Sequence, residues 1–203
     1  KFHLSASALE DYMQCPVRFY YKKVRGLGKD DEVAENLDAG AMGTAFHLTM
    51  KLLYGPDGVK EKDAGKNVRV SRRRIKEILE DKALIRSTVA RSICYTLLCD
   101  EVTGRDLVTA EVIFKYVCDT LRRDMEILDA AGKDAFLVKS LEEMKYFDCG
   151  SWHFKAQLDR LDSLDGCRMR IVDYKTGGDS EEVLSNPDVV KKSQSGFKSV
   201  IKL

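Results

Sequence analysis

Apolar residues recur every fourth position along two stretches of the chain. Ile85, Val89, Ile93 and Leu97 form one stripe, and Ile113, Val117, Leu121 and Met125, completed by Leu128, form another. Residues four apart stack on one face of an α-helix, so each stripe predicts a long helix with one buried side. Thr103 with Asp106 supplies a cap for the second. "AGAMGTAFHLTMKLLYG" predicts an earlier helix, closed by Gly55, Pro56 and Gly58. "SALEDYMQCPVRFYYKKVRGL" predicts two short helical pieces. Ser7 and Glu10 fit a capping box, and Pro16 is suited to open the second piece. Gly26 and Gly28 end it, and "KDDEVAEN" reads as a polar connection.

Past Gly132 the period changes. "AFLVKSLEEMKYFD", "WHFKAQLDRLDS" and "CRMRIVDYKT" predict three strands, with Asp165-Gly166 as a tight turn between the last two. The tail is polar at first and then begins an apolar rhythm that breaks off at Leu203, and the chain opens on Lys1 rather than methionine. It reads as a fragment of a longer protein. The expected architecture is α/β (α+β) in one domain: a mainly helical part over 1–132, a β-sheet core over 133–178, and the start of a C-terminal helical segment over 179–203.

Composition narrows the class. A chain of 203 residues is long enough for a sizeable core, and with 44% apolar and 33% charged residues it folds rather than staying disordered. No apolar run reaches the roughly 18 residues of a membrane span, and no signal-peptide pattern opens the chain. The net charge of +1 means that any nucleic-acid-binding surface must be local. Six cysteines include no C-x-x-C pair. Free thiols in a reducing, cytoplasmic compartment fit that spacing.

Candidate chemistry lies at the end of the last strand. Asp173 and Lys175 are two apart in "IVDYKTG", so they project from one face. Asp159, in the neighbouring strand, lies six residues before the turn's first residue, and Asp173 lies seven after its glycine. An antiparallel pairing with that turn brings the two carboxylates together, within a residue of register. Clustered carboxylates repel, and Mg2+ relieves the repulsion while needing few protein ligands. A lysine beside such a site can orient water and stabilise charge on a phosphate. A solvated strand end with a chance ion pair would leave the same residues.

Three segments, in order, resemble the PD-(D/E)xK nuclease superfamily and within it the RecB/AddB-type branch of exonuclease domains. "LSASALEDYMQCPVRFYY" is similar to the branch's S-x-L-x-x-Y-x-x-C-P-x-x-F-x-Y helix, "GTAFH" to its G-x-x-x-H helix start, and "AQLDRLD…IVDYKTG" to its G-x-I-D-R-I-D…DYKTG core. The resemblance implies a restriction-endonuclease-like core, a small mixed sheet flanked by helices. It makes His47, Asp159, Asp173 and the backbone carbonyl of Tyr174 the metal ligands, and Lys175 the catalytic lysine beside the two aspartates. Taken alone, a histidine on an apolar helix face is more often a core residue. The implied ion is Mg2+, and an imidazole among oxygen ligands also suits Mn2+.

Glu143 on the first strand, which would reach the site from a neighbouring strand, and Gln157 are further candidates, although Glu143 also reads as a solvated residue of "LEEMK". Asp162 faces away from Asp159 and reads as a hairpin-end residue. The branch's Q-x-x-x-Y helix after DYKTG is missing. Its iron–sulfur members pair an early cysteine, matched here by Cys15, with three later ones; no later trio follows, so a cluster is expected only in a longer parent. "KNVRVSRRRIK" packs six cations into residues 66–76. Arg69, Arg72, Arg73 and Arg74 would flank a DNA path, although such a run is more often a solvated helix face.

The implied function is a metal-dependent DNA exonuclease domain of a bacterial repair or recombination helicase–nuclease, with DNA as substrate and a helicase as partner. Two alternatives stay open. One is a nuclease-fold module that binds DNA or a helicase without cleaving. The other is an adaptive-immunity nuclease sharing the core motifs, which would need a C-terminal cysteine cluster.

Overall fold

A computed structural model describes residues 2–27, 37–55 and 68–176. The connection expected at "KDDEVAEN" and the C-terminal helical segment lie outside the described residues. The α-helices are α1 (Ala6–Gln14), α2 (Pro16–Phe19), α3 (Ala39–Tyr54), α4 (Arg72–Glu80), α5 (Lys82–Leu97) and α6 (Asp106–Ala130), and a π-helical turn at Tyr20–Val24 continues α2. The strands are β1 (Val68–Ser71), β2 (Ala135–Cys149), β3 (Trp152–Ser163) and β4 (Arg170–Val172). Both predicted long helices and all three predicted strands are present. The architecture is mixed α/β with a four-stranded sheet among the described residues, consistent with a restriction-endonuclease-like fold.

These residues divide into two compact units, one of 37–55, 68–143 and 158–176, the other of 2–27 and 144–157. In the larger unit α3 packs on α5 and α6. Ile85, Val89 and Ile93 from one stripe and Ile113, Val117, Leu121 and Leu128 from the other are buried in its core with Phe46, Met50 and Leu53. Each such side chain contributes about 1.5–3 kcal/mol on leaving water. Side-chain caps set the helix starts: Asp38 accepts from the Ala41 amide (2.8 Å) and Asp81 from that of Leu84 (2.9 Å).

The sheet runs in the order β1-β2-β3-β4. β1 pairs antiparallel with β2, Val70 opposite Phe136, and β3 with β4, Arg160 opposite Val172 and Asp162 opposite Arg170. One further step in that register sets Asp159 opposite Asp173. The turn between β3 and β4 is held by the Asp165 carboxylate, which accepts from the amides of Cys167 (2.9 Å) and Arg168 (2.7 Å), with Gly166 at φ +80°. That left-handed conformation is what the predicted glycine supplies.

In the smaller unit Leu4 pairs in parallel with Phe154, and Phe19 meets Phe2 and Tyr12 edge-on. Asp11 is buried and ion-paired with Arg18 (2.9 Å) and Lys22 (3.3 Å). Cys15 is half-buried and caps α2, its Sγ accepting from the Arg18 amide (3.4 Å).

Four local expectations need correction. Ser5 rather than Ser7 caps α1, accepting from the Ala8 amide (3.2 Å). α6 has no side-chain cap, because Thr103 receives the Asp106 amide on its backbone carbonyl (3.2 Å). β1 lies in a part expected to be helical, since the alternation in "VRVS" is too short to stand out beside a run of cations. β3 and β4 are joined by a six-residue loop, 164–169, rather than by a tight two-residue turn at Asp165-Gly166. Asp162, a hairpin-end residue as expected, is fully buried because Arg160 (2.9 Å) and Arg170 (2.7 Å) close around it.

Candidate metal centre

Four segments of the larger unit deliver the site. α3 carries His47, β2 Glu142, β3 Asp159, and the chain beyond β4 Asp173, Tyr174 and Lys175. Gly43, one helical turn before His47, lets α3 approach the strand end closely. A Cβ there would lie 3.3 Å from Thr176 Oγ1. Asp159 is fixed by its neighbour strand, its Oδ2 accepting the Tyr174 amide at 2.7 Å.

His47 stands at the centre. Its Nδ1 lies 3.1 Å from Glu142 Oε1 and 3.6 Å from Asp159 Oδ1, and its Nε2 lies 3.1 Å from the Tyr174 carbonyl oxygen. Both ring nitrogens therefore face acceptors, so satisfying both contacts requires the imidazolium, a donor on each side. Burial pushes the His47 pKa down, but the Glu142 hydrogen bond and the charges of Asp159 and Glu142 outweigh it and hold the pKa above its ordinary value. Asp159 is pushed up, first by burial. The His47 charge and the Tyr174 amide pull it back in part, while the charges of Glu142 and Asp173 add to the rise.

His47, Glu142 and Asp159 form a group whose ligand atoms all lie within 4.8 Å of one another. The donors suit a divalent cation: one imidazole, two carboxylates whose charge exceeds that of the single imidazolium, and a carbonyl beside them. The histidine also meets a requirement of metal-bound imidazole, since whichever nitrogen ligates, the other has an acceptor to orient it. Asp173 and Lys175 stand together rather than in this group. Lys175 Nζ lies 2.9 Å from both Asp173 oxygens, and both side chains are part-exposed.

Sequence reasoning missed Glu142 and named its neighbour Glu143. Phe136, Val138 and Ser140 are the buried positions of β2, and counting on by two reaches Glu142. Leu137 and Leu141 made the opposite phase look equally apolar. Glu142 also takes φ +49°, a left-handed conformation in mid-strand that costs a non-glycine residue about 1–2 kcal/mol. Gln157 is exposed on β3 and lies outside the group.

The candidate DNA-contacting arginines are engaged within the larger unit. Arg72 pairs with Asp129, and Arg73 pairs with Glu77 (3.4 Å). Arg74 donates to the carbonyls of Leu53 (3.3 Å) and Gly55 (3.1 Å), closing the end of α3. Arg69 is exposed on β1.

Among known families, the model for the PD-(D/E)XK nuclease superfamily matches residues 3–197. No curated protein and no solved structure matches the chain.

Proposed function

Because the chain belongs to the PD-(D/E)XK nuclease superfamily, we propose that it is a divalent-metal-dependent deoxyribonuclease. Its centre is His47, Glu142, Asp159 and the Tyr174 carbonyl, with Asp173 and Lys175 beside them. The observation that carries this reading is the convergence of an imidazole and two carboxylates within 4.8 Å, next to a strand end that reads D-Y-K. Among the described residues no helix is long and apolar enough to cross a membrane. The free thiols fit a cytoplasmic location.

Mg2+, or Mn2+ in its place, would supply Lewis acidity toward a phosphodiester oxygen and a bound water of lowered pKa. His47, Glu142 and Asp159 would hold the ion, with the Tyr174 carbonyl and Asp173 as further donors. Asp159 is kept in orientation by the Tyr174 amide. Asp173 steadies the part-exposed Nζ of Lys175 at 2.9 Å. From there the lysine donates to a phosphate oxygen as negative charge grows, or orients the attacking water.

The finer assignment rests on the order of three segments, "LSASALEDYMQCPVRFYY", "GTAFH" and "AQLDRLD…IVDYKTG". They support the RecB/AddB-type branch, an exonuclease acting at DNA ends in repair or recombination, and a helicase as partner. The test is cleavage of end-labelled linear DNA and covalently closed circular DNA with Mg2+ or Mn2+. Metal-dependent loss of label from the linear DNA alone, abolished in Lys175→Ala, is expected. Cleavage of the closed circle would remove the exonuclease reading. DNA binding with no cleavage of either substrate would leave a non-catalytic binding module.

A further inference from the structure

Beneath the candidate metal centre lies a second cluster of charged residues, and one of its members reaches back to the site. Arg160 follows Asp159 in β3 and points to the opposite face. It is 1% exposed. Its guanidinium forks onto Asp124 of α6, Nη1 donating to Oδ2 (2.6 Å) and Nη2 to Oδ1 (2.7 Å). Nε lies 2.9 Å from Asp162 Oδ2 but is misaligned for a hydrogen bond, so that contact is an ion pair alone. Tyr54 of α3 donates to Asp124 Oδ2 at 2.7 Å, and Arg170 of β4 forks onto Asp162 at 2.7 and 2.9 Å. Two guanidiniums therefore face two carboxylates.

The second N–H of Nη1 is left over from this pairing. Arg160 Nη1 also donates to the Tyr174 hydroxyl at 3.0 Å. Tyr174 is the residue between Asp173 and Lys175. Its backbone takes part in the centre twice, the carbonyl 3.1 Å from His47 Nε2 and the amide donating to Asp159 Oδ2 at 2.7 Å. Its ring is buried and meets Phe46 edge-on at 5.4 Å. β4 is only three residues long and ends at Val172, so the ladder does not hold the D-Y-K segment. Besides the backbone bonds to His47 and Asp159, the Tyr174 side chain ties that segment to the interior through Arg160 and Phe46.

We propose that Arg160 is a positioning residue. Clamped by Asp124, it acts through the Tyr174 hydroxyl to fix the backbone that presents a carbonyl and an amide to the metal centre and sets Asp173 and Lys175 at its edge. An ion pair between Arg160 and Asp124 alone would serve folding. The additional bond to Tyr174 couples that pair to the site. Buried ion pairs often add little net stability compared with an apolar core of the same shape, and a role in holding one geometry accounts for the expense of desolvating this one.

The proposal rests on the metal-centre reading above, and two readouts keep the two apart. Tyr174→Phe removes the hydroxyl from the site's tether, while Tyr54→Phe removes one from the same cluster without touching the D-Y-K segment. The first readout is hydrogen exchange at the amide of position 174 in metal-free protein. It should quicken about ten-fold in Tyr174→Phe and stay within about two-fold of wild type in Tyr54→Phe. The second is calorimetric titration with Mn2+. Affinity should fall about ten-fold in Tyr174→Phe and be unchanged in Tyr54→Phe, the size expected for losing an outer partner of a metal site.

Arg160→Lys keeps a cation opposite Asp124 but has no second arm. It should repeat the Tyr174→Phe result, and it stands in should that variant fail to fold. Equal exchange at position 174 in wild type, Tyr174→Phe and Arg160→Lys would overturn the proposal. Faster exchange in a protein that takes up no Mn2+ even as wild type would uphold the positioning role and remove the metal-centre reading.

Discussion

Asp159 and Arg160 are neighbours in β3, yet they belong to two regions built on opposite principles. On the Arg160 side, two guanidiniums meet two carboxylates in forked pairs, and every member but Arg170 is almost wholly buried. On the Asp159 side, three carboxylates (Glu142, Asp159 and Asp173) face one imidazolium and one ammonium, and Asp173 and Lys175 remain part-exposed. The first region is balanced without any ligand. The second carries excess negative charge, holds Asp159 above its ordinary pKa, and keeps Glu142 at a positive φ. A fold has no need of such an arrangement for its own stability, and a bound cation would account for it. Consecutive residues of one strand can thus serve structure on one face and chemistry on the other.

The sharpest way to break the balanced region is Arg160→Met. It leaves buried Asp124 without its forked partner, with only Arg170 at 3.9 Å as a cation, and a loss of about 3–5 kcal/mol in urea unfolding is expected. A loss under about 1 kcal/mol would mean that the cluster is not a structural unit.

The corresponding break on the other side is Lys175→Ala. Turnover should fall by about 10²–10³-fold, as when a charge-stabilising donor is removed. Unfolding free energy should stay within about 0.5 kcal/mol of wild type, because the side chain is 42% exposed. If stability fell and turnover did not, the roles of the two faces would be reversed.

A finer contrast lies within β2. Glu142→Gln should weaken Mn2+ binding about ten-fold, whereas Glu143→Gln should leave it within about two-fold. The opposite ranking would return the site to the acid that the sequence pattern suggested.

The smallest effect concerns Asp11, a third arrangement in which one carboxylate sits among several cations. Burial pushes its pKa up, but Lys22, Arg18 and Lys23 outweigh that and hold it below its ordinary value. A depressed carboxylate contributes stability above its unfolded pKa, near 3.8, and the contribution fades as pH falls through the lower folded value. Acid unfolding in that window should be more gradual in Asp11→Asn than in wild type. Superimposable acid-unfolding curves would show that the ion pairs are screened out.

Much of the fold was legible because periodicity records burial directly. The stripes at Ile85–Leu97 and Ile113–Leu128 are core in the structure, and the three strands follow the alternation after Gly132. The approach of Asp159 to the D-Y-K segment was legible within a residue of register from the hairpin, and the longer connection over 164–169 shifts the pairing by that one residue to set Asp159 opposite Asp173. His47 was reached only through resemblance, because nothing in an apolar helix face marks one imidazole as facing carboxylates. Glu142 was hidden by two competing phases in β2, which only pairing and the positive φ resolve. The cluster around Arg160 was illegible for a different reason. It joins α3, α6, β3 and β4, and one-dimensional patterns carry no record of which distant charges will share a buried space.

The most direct test of the account is calorimetric titration of Mn2+ into the protein beside Asp159→Ala. Stoichiometric binding in the wild type that is lost in the variant, with the variant still folded, is the predicted result. A folded wild type that takes up no Mn2+, or an Asp159→Ala variant that binds it as tightly as wild type, would contradict the claim that the unbalanced face of β3 is a metal centre.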